Sequence, residues 1–446
     1  MGAAMTPPPI PSHAPYGTVL WVFIQLHLEA WLIYRKGFKF VPKYVVDAFK
    51  KFLWCGDPER GFVVLGCPNQ HTTRYVVYRC KGRGFCVRCM LIRQRELGEQ
   101  LIRRIIGNVP VRHLVFCFPP AFRFILGYDK ALLNAGFRAL SVAMFNHQRQ
   151  AAMREFGVPW DRIHPGCVEV AHRASGTLVT NHHVHGIFPN GVFIERDDGS
   201  LEFAKLPRPS DADIAAIAHE ACVSFCAALK RRGFWETTAT SPDGVEGVLS
   251  LPGTRPHRLK FFGQAARDGE GGVAPVNGAY AFHLYVGNAI EVEDRPQLQH
   301  LVDYILAPPF LDPQTEVNDK GNFVLKLKRT RRDKATEVEL EPNDALDRFA
   351  ELIPRPRANT VRYYGVYAPR SRLRKQAIAL RIGDPGPARV TNGPRLCPIC
   401  GEALRVIDKV LRPDAVPPDT PETRTPRGQD RIERRTSDEG QGRLFS

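Results

Sequence analysis

The sequence lacks a hydrophobic run that is long enough to cross a lipid bilayer. Its most apolar stretch, residues 19–34, carries His27 and Glu29, whereas a spanning helix needs about 20 consecutive, predominantly apolar residues. The first residues also lack a cationic leader and a small-residue cleavage site, the two marks of a secretory signal peptide. These absences argue against a membrane or secreted protein, and we expect a cytoplasmic one.

Acidic residues are too few to balance the basic ones. The chain has 46 Asp and Glu against 62 Lys and Arg, which gives a formal net charge of +16 and a pI near 9.5. Such a surplus of positive charge indicates a polyanionic partner. Because no membrane anchor is visible, we expect that partner to be nucleic acid. The 446 residues allow two or more domains with sizeable cores.

Cysteine is abundant, with 11 residues in the chain. In the cytosol these thiols are expected to be free or metal-bound rather than paired in disulfides. Cys86 and Cys89, with two residues between them, form one zinc knuckle, whereas Cys67 with His71 is the natural second pair and Cys80 could replace either member of it. Zinc takes four such donors in a tetrahedron, so we predict a structural zinc site drawn from these five residues. Buried thiols without metal are the alternative.

Two features accompany this zinc motif. The basic residues Lys81 and Arg83 alternate with the ligands, which suggests that the loop also contacts phosphate. Far downstream, Cys397 and Cys400 form a single knuckle with no second ligand pair after it. Zinc at that knuckle would need ligands from elsewhere in the chain.

The stretch at 181–193 contains three histidines, and two of them, His183 and His185, have one residue between them. Successive side chains of a strand point to opposite faces, so His183 and His185 project together while Val184 packs behind them. Two imidazoles on one face can bind a divalent metal. The alternative is a pair of ordinary histidines on a half-exposed strand.

Hydrophobic spacing predicts an α+β fold. Helices are expected at residues 93–106, 131–156, 211–232 and 294–306, and strands at 111–120, 167–172 and 281–286. The strand at 167–172 turns into the histidine strand as an antiparallel hairpin, so we expect helices flanking one antiparallel sheet. The glycine-rich residues 237–280 are expected to be mostly loop.

The last of these helices carries a tyrosine at the edge of its apolar face. Asp294 stands near the helix cap and a proline lies in the first turn. Tyr304 lies one position from the apolar stripe, where ordinary packing is the simplest interpretation. After this helix, residues 322–341 predict a basic hairpin with Lys328 and Arg329, which would follow a DNA backbone or form a solvated charged face.

The order of these motifs resembles that of the rolling-circle transposases of the insertion-sequence-91 type, members of the His-hydrophobic-His (HUH) endonuclease class. The resemblance covers nearly the whole chain, from about residue 18 to 410. Its carriers are residues 79–86, 109–112, 172–173, 181–193, 301–309, 327–329, 362–369 and 397–401.

The resemblance implies that His183 and His185 bind Mg²⁺ or Mn²⁺ and that Tyr304 is the nucleophile. His172 on the neighbouring strand is our candidate for the third ligand, and Glu169 is its rival; the register of the hairpin decides between them. Relatives can carry a second tyrosine one helical turn away, but here those positions are His300 and Pro308. We therefore expect a mechanism with one tyrosine.

The implied function is a DNA transposase that cuts single-stranded or hairpin element ends through a 5′-phosphotyrosine intermediate and joins them to target DNA. Phe85 and Tyr363 would stack on bases, and Arg112 and Arg123 would line the path of the phosphates. The protein would act in the cytoplasm of a bacterium, in association with the nucleoid. Two alternatives are a rolling-circle replication initiator or relaxase, and a zinc-dependent DNA-binding protein without catalysis.

This interpretation divides the chain into six segments. They are a disordered start (1–17), a helical and zinc-binding domain (18–95), a nuclease domain (96–312), a basic hairpin with the carboxy-terminal part of the transposase (313–392), a cysteine knuckle (393–411) and a disordered tail (412–446).

Overall fold

The structure is a computed structural model that describes residues 15–38, 41–106, 108–266, 279–328, 330, 334–382 and 396–411. The expected disordered tail and all but three residues of the expected disordered start lie outside the described residues, as does Arg329. The described part is a mixture of helices and sheets, which confirms the predicted α+β class.

The helices in chain order are α1 (Val19–Phe38), α2 (Lys43–Leu53), α3 (Val87–Leu101), α4 (Arg123–Tyr128), α5 (Lys130–Phe156), α6 (Asp211–Arg231), α7 (Arg295–Leu306), α8 (Pro342–Leu352) and α9 (Arg374–Ala379). The helix α3 continues into one π-helical segment, Ile102–Ile106. The four helices expected from hydrophobic spacing correspond to α3 with this segment, α5, α6 and α7.

The strands in chain order are β1 (Gly61–Gly66), β2 (Thr73–Val77), β3 (Val111–Cys117), β4 (Ile163–His164), β5 (Gly166–Ala174), β6 (Thr180–Pro189), β7 (Gly191–Glu195), β8 (Leu201–Lys205), β9 (Trp235–Ser241), β10 (Gly244–Leu249), β11 (His257–Ala265), β12 (Ala279–Ile290), β13 (Thr315–Val317), β14 (Phe323–Lys326), β15 (Glu337–Leu340), β16 (Val361–Gly365) and β17 (Arg405–Leu411).

The chain forms two compact units, each assembled from separated segments. Among the described residues, the first unit contains those within 15–93, 308–353 and 396–411, and the second contains those within 94–307 and 354–382. The boundary falls within α3. The basic hairpin and the carboxy-terminal knuckle therefore belong with the amino-terminal residues, which a division into consecutive segments does not anticipate.

The second unit is built on an eight-stranded sheet with the order β16-β5-β6-β3-β12-β11-β10-β9. All neighbouring strands are antiparallel except β11 and β12, which are parallel. The prediction of one antiparallel sheet thus holds for most of this sheet, but it is wrong for the pair β11 and β12. The helices α5 and α6 pack together, and their apolar residues share one core with Val184 and Phe188 of β6.

The opposite face of β6 has a second core. Ile187 of β6, Leu298 and Val302 of α7 and the end of α3 belong to this cluster. Because His183 and His185 alternate with Val184, they lie on the face of Ile187, which is also the face of α7. The fold therefore places the histidine pair and the tyrosine helix on the same side of the sheet.

The segment 237–280 was expected to be loop, and this prediction is wrong for the part that the structure describes. Strands β9, β10 and β11 occupy most of it. Its glycines are strand residues that allow close packing: a Cβ at Gly263 would collide with the backbone of His219 in α6, and one at Gly247 would collide with the ring of Trp235. Close approach of another element explains these glycines better than turns do.

The first unit contains α1, α2 and α8 with two three-stranded sheets, ordered β17-β1-β2 and β13-β14-β15. Its core is aromatic: the ring centroid of Phe85 lies 4.9 Å from that of Phe49 and 5.9 Å from that of Phe349. Phe85 is only 3% exposed. The expectation that Phe85 stacks on a DNA base is therefore wrong, because its ring is used to hold the unit together.

One described helix, Asp211–Arg231, is long and apolar enough to span a membrane by length and composition alone. Half of its most apolar window is buried, and its residues Ile214, Phe225 and Leu229 belong to the core of the second unit. Packing inside the protein accounts for its apolar composition.

Candidate metal centres and the tyrosine helix

Three histidines converge on the α7 side of the large sheet. The strand register places His172 of β5 directly opposite His183 of β6, and Val170 opposite His185. One ring nitrogen from each of His172, His183 and His185 can be chosen so that all three atoms lie within 4.8 Å of one another. We call these three residues the histidine triad.

The same register places Glu169 away from the triad. Glu169 pairs with Gly186, so its side chain points to the other face of the sheet, where Ser141 of α5 donates a 2.7 Å hydrogen bond to its Oε1. Its side chain is fully buried, and burial raises the pKa of its carboxyl to about 8. The geometry thus favours His172 over Glu169 as the third donor.

Hydrogen bonds leave one nitrogen of each triad histidine available. The Nε2 of His172 lies 2.7 Å from the carbonyl oxygen of Ile305, and the Nδ1 of His183 lies 2.8 Å from that of Asn181. A carbonyl accepts only, so these nitrogens carry the protons and the lone pairs are on Nδ1 of His172 and Nε2 of His183.

The third member is oriented by another histidine. The Nδ1 of His185 lies 2.9 Å from the Nε2 of His113 on β3, and the two rings are nearly parallel, with an interplanar angle of 3°. The buried Nε2 of His185 has no hydrogen-bond partner among the described residues. If Nδ1 of His185 donates to His113, its Nε2 presents a lone pair to the triad, as a metal ligand requires.

Burial keeps the triad neutral. It lowers the pKa of His183 to about 3 and the pKa of His185 well below its ordinary value, with repulsion from the neighbouring imidazoles as a further cause. The pKa of His172 is lowered as well, again by burial. Neutral imidazoles are the form that binds metal, so this donor set fits a divalent cation. Nitrogen donors suit Mn²⁺ better than the harder Mg²⁺.

Tyr304 stands beside the triad on α7. The helix begins at the predicted cap, where Asp294 accepts a hydrogen bond from the backbone of Gln297, and it is held by the buried Leu301, Val302 and Ile305. Tyr304 is 55% exposed, at the edge of this buried face. Its ring centroid lies 5.6 Å from that of His185 and 6.2 Å from that of His113.

The same helix is coupled to the triad through its backbone, because the carbonyl of Ile305 holds His172. The residue that follows Tyr304 therefore fixes the orientation of a triad member. This contact links the helix that carries the phenol to the triad, and the phenol of Tyr304 is exposed to solvent beside it.

Four cysteines of the first unit form a separate cluster. The Sγ of Cys89 lies 3.6 Å from that of Cys55 and 3.6 Å from that of Cys80, and the Sγ atoms of Cys86 and Cys55 are 3.8 Å apart. Hydrogen bonds from the other three thiols lower the pKa of Cys89. A tetrahedral site with zinc–sulfur bonds of about 2.3 Å has edges of about 3.8 Å, so the cluster has the dimensions of a zinc site.

The predicted zinc ligands are divided by the structure. Cys80, Cys86 and Cys89 lie together, but their fourth neighbour is Cys55, which the sequence analysis did not select. Cys67 and His71 lie instead with Cys397 and Cys400. The irregular spacing of Cys55 from the other cysteines gave no signal of its role as a donor. His113 is also a residue that the sequence analysis did not select, although it lies in a predicted strand and is a histidine that could contact the triad.

The residues that were predicted to contact DNA differ in their exposure to solvent. Lys81 is exposed in the loop of the four-cysteine cluster, Arg83 is half-buried there, and Lys328 is exposed after β14. Arg112 is instead buried: its Nε donates to Asn190 and its Nη1 to the carbonyl of Gly287. These contacts give Arg112 a role in the fold, and the proposal that it lines the phosphate path does not agree with them.

Two other proposed contacts are partly covered. Tyr363 lies half-buried on β16, an edge strand of the large sheet, and the guanidinium of Arg374 stands over its ring at 5.5 Å. Arg123 is also half-buried, and burial lowers the pKa of its guanidinium. Both residues would need a change of their surroundings to meet DNA with their full surface.

Comparison with known families gives two matches. A family model described as "Putative transposase" matches residues 166–375, which include the histidine triad and α7. A model of the transposase zinc-binding domain of the insertion-sequence-91 type matches residues 25–118, which include the four-cysteine cluster. No curated protein and no solved structure matches the chain.

Proposed function

The chain belongs to the insertion-sequence-91 type of transposases, and from that membership we propose that it cuts and rejoins single-stranded DNA at element ends with Tyr304 as the nucleophile. A transposase binds DNA, which agrees with the net charge of +16, and its zinc-binding domain carries structural zinc at the cluster of Cys55, Cys80, Cys86 and Cys89. The reaction type, the catalytic metal and the form of the DNA are the proposal.

The observation that carries the proposal is an exposed phenol beside three neutral imidazoles. A free phenol has a pKa of about 10 and is protonated at neutral pH, so its attack on phosphorus needs a site that favours the charged transition state. Mg²⁺ or Mn²⁺ held by His172, His183 and His185 would polarise the phosphodiester and stabilise negative charge on its oxygens. Three protein donors leave positions for substrate oxygens.

The two chemical steps conserve the bond energy. In cleavage the Oη of Tyr304 loses its proton and forms a bond to phosphorus, while the bond from phosphorus to the 3′ oxygen breaks and that oxygen takes up a proton. The products are a 5′-phosphotyrosine and a free 3′-hydroxyl. In rejoining, a 3′-hydroxyl of another strand attacks the same phosphorus, and the tyrosine oxygen leaves and regains a proton. No nucleotide cofactor is needed, since each step exchanges one phosphodiester for another.

The other residues of the site have supporting roles in this proposal. His113 is a positioning residue for His185, and the Ile305 carbonyl is the corresponding group for His172. Lys81 and Lys328 are exposed cations that would bind the DNA backbone, together with Arg83 and the predicted contact Arg329. Such contacts to phosphate position the strand without reading its sequence. We place this activity in the bacterial cytoplasm, at the nucleoid.

The test is a covalent adduct. Labelled single-stranded oligonucleotides that tile the DNA flanking this reading frame are incubated with the protein and Mn²⁺, Mg²⁺ or a chelator, and a complex that survives denaturant is scored. We expect an adduct with Mn²⁺, a smaller amount with Mg²⁺ and none with Tyr304→Phe. Tyr363→Phe is the matched control and should retain the adduct.

Each of the other outcomes would indicate a different nucleophile or a different function. An adduct that persists in Tyr304→Phe and disappears in Tyr363→Phe would move the nucleophile to β16. DNA binding with no adduct under any condition would support a zinc-dependent DNA-binding protein. An adduct with no transfer of one element end to another would favour a replication initiator or relaxase.

A further inference from the structure

A second group of metal donors lies in the first unit, outside the four-cysteine cluster. It consists of Cys67, His71, Cys397 and Cys400, whose donor atoms all lie within 4.8 Å of one another. The two cysteines at the carboxy-terminal end fall outside both segments that match the transposase families. We call these four residues the split cluster.

The first half of the split cluster is a turn between two strands. Cys67 follows β1, and β2 begins shortly after His71. The backbone of Cys67 donates to the carbonyl of Thr72, and that of Gln70 donates to the carbonyl of Cys67 at 2.9 Å. Gln70 has a positive φ of 58°, which closes the turn and brings the two donor side chains to the same side.

The second half has a similar turn. The backbone of Cys397 donates to the carbonyl of Glu402 at 2.7 Å, and that of Gly401 donates to the carbonyl of Cys397 at 2.9 Å. Gly401 has a φ of 73°, a conformation that glycine adopts without strain. A bridge between Leu396 and Ala403 closes this hairpin, and β17 begins immediately after it.

The sheet brings the two turns together. Strand β17 pairs antiparallel with β1, with Gly66 opposite Arg405 at one end and Gly61 opposite Leu411 at the other. The residues next to Gly66 and Arg405 are the two turns, so the pairing places both at the same end of the sheet. Cys67 and Cys400 are 333 positions apart in sequence, yet their Sγ atoms are 3.5 Å apart.

From this arrangement we propose a second structural zinc site, held by Cys67, His71, Cys397 and Cys400. The Sγ of Cys67 lies 3.9 Å from the Nδ1 of His71 and 3.5 Å from the Sγ of Cys400, and both distances are within about 0.4 Å of the edges of a zinc tetrahedron, about 3.5 Å between nitrogen and sulfur and about 3.8 Å between two sulfurs. The side chain of Asn69 donates to the Sγ of Cys400, a bond that stabilises a thiolate. Four protein donors close the site, so it serves structure rather than catalysis.

The consequence is a zinc ribbon whose second pair of ligands comes from the knuckle of Cys397 and Cys400. The amino-terminal hairpin β1–β2 supplies half of the ligands and the knuckle before β17 supplies the rest. Zinc would fasten the carboxy-terminal strand to the zinc-binding domain and close a loop that contains the whole second unit. The inference concerns folding and does not depend on the phosphotyrosine reaction.

Metal content of the full-length protein tests the proposal. After dialysis against zinc-free buffer, mass spectrometry of the metal should give two zinc ions per chain for the wild type and one for Cys400→Ser. Cys222→Ala, which removes a buried thiol outside both clusters, is the matched control and should retain two. One zinc in the wild type, or two in Cys400→Ser, would overturn the proposal.

A second measurement needs no variant and therefore does not depend on the folding of one. Cys400 is exposed, so a free thiol there would react at once with iodoacetamide. We expect peptide mapping to show Cys397 and Cys400 protected in the native protein and alkylated together with Cys67 after a zinc chelator is added. Immediate alkylation of Cys400 before the chelator contradicts the proposal.

Discussion

The four-cysteine cluster of the first unit and the histidine triad of the second each bring several metal-ligating side chains together, but they differ in the number and the burial of their donors. The cluster has four sulfur donors, three of them buried. The triad has three nitrogen donors and an exposed phenol at its side. A closed tetrahedron stabilises a fold, whereas an incomplete set of protein donors leaves positions for a substrate.

The surroundings of the two sites also differ: those of the cluster depend on the site for their packing, whereas those of the triad do not. The loop of the four-cysteine cluster packs its Phe85 against Phe49 and Phe52, so loss of its metal would release an aromatic core. The triad is held by the backbone carbonyls of Asn181 and Ile305 and by His113. Its geometry is therefore set by the sheet and α7, and the fold should survive without the metal.

The largest effect is expected at the cluster. Cys89→Ser removes the sulfur that contacts Cys55 and Cys80, and zinc binding at such sites is worth about 10 kcal/mol or more of folding free energy. We expect loss of one zinc ion and unfolding of the first unit, measured by metal analysis and by thermal unfolding followed with circular dichroism. An unchanged unfolding curve would show that this cluster does not support the fold.

The next effect is at the triad and is expected in rate rather than stability. His183→Ala should lower the rate of adduct formation by about 10³-fold, or roughly 4 kcal/mol of transition-state stabilisation, with a melting temperature close to that of the wild type. His300→Ala, an exposed histidine one turn before Tyr304 on α7, is the control and should retain the rate. Equal losses in both variants would point to a general effect on α7.

A variant of Glu169 tests whether the face of the β5–β6 hairpin opposite to the triad takes part in metal binding. Its pKa is raised to about 8 by burial from an ordinary value of 4.5, so the folded state binds a proton that the unfolded state loses. The stability of the wild type should then fall as the pH rises from about 4.5 to about 8, and level off above that. We expect Glu169→Gln to reduce this fall by on the order of a few kcal/mol, in denaturant titrations at several pH values.

In the same variant the adduct yield at saturating Mn²⁺ should be that of the wild type. A glutamine that abolished the adduct and left the pH dependence unchanged would restore Glu169 as the third metal ligand in place of His172.

The smallest effect is expected at His113, which touches the triad from outside. His113→Phe removes the hydrogen-bond partner of Nδ1 of His185, and loss of such an orienting partner raises the metal concentration for half-maximal activity by about 10- to 100-fold. His113→Gln, whose carbonyl oxygen can take the place of Nε2, should recover most of the affinity. A failure of both variants at every Mn²⁺ concentration would instead give His113 a part in the chemistry.

The triad could be predicted from the sequence because its order is local. The two-residue period of a strand places His183 and His185 on one face, and one hairpin brings His172 opposite His183. The tyrosine helix was equally accessible, since Asp294 and the apolar stripe mark its start and its buried face. These features depend on neighbours within a few residues or across one turn.

The remaining features depend on contacts that no local pattern contains. Glycines such as Gly247 and Gly263 led to the prediction of a loop. In the structure Gly247 allows the ring of Trp235 to lie close to β10, and Gly263 allows α6 to lie close to β11. Cys55 and the split cluster are assembled from distant segments, and Phe85 is covered by residues of α2 and α8. Sequence spacing identified most of the donors, but their grouping follows from the tertiary fold.

The most direct test of the account is the position of the covalent bond. The adduct formed with Mn²⁺ is digested with protease and nuclease, and the modified peptide is sequenced by tandem mass spectrometry. We predict a nucleotide attached through its 5′-phosphate to Tyr304, with a free 3′-hydroxyl on the released strand. A nucleotide on Tyr363 or on any other residue, or a bond through a 3′-phosphate, would contradict the assignment of Tyr304 beside the histidine triad as the nucleophile.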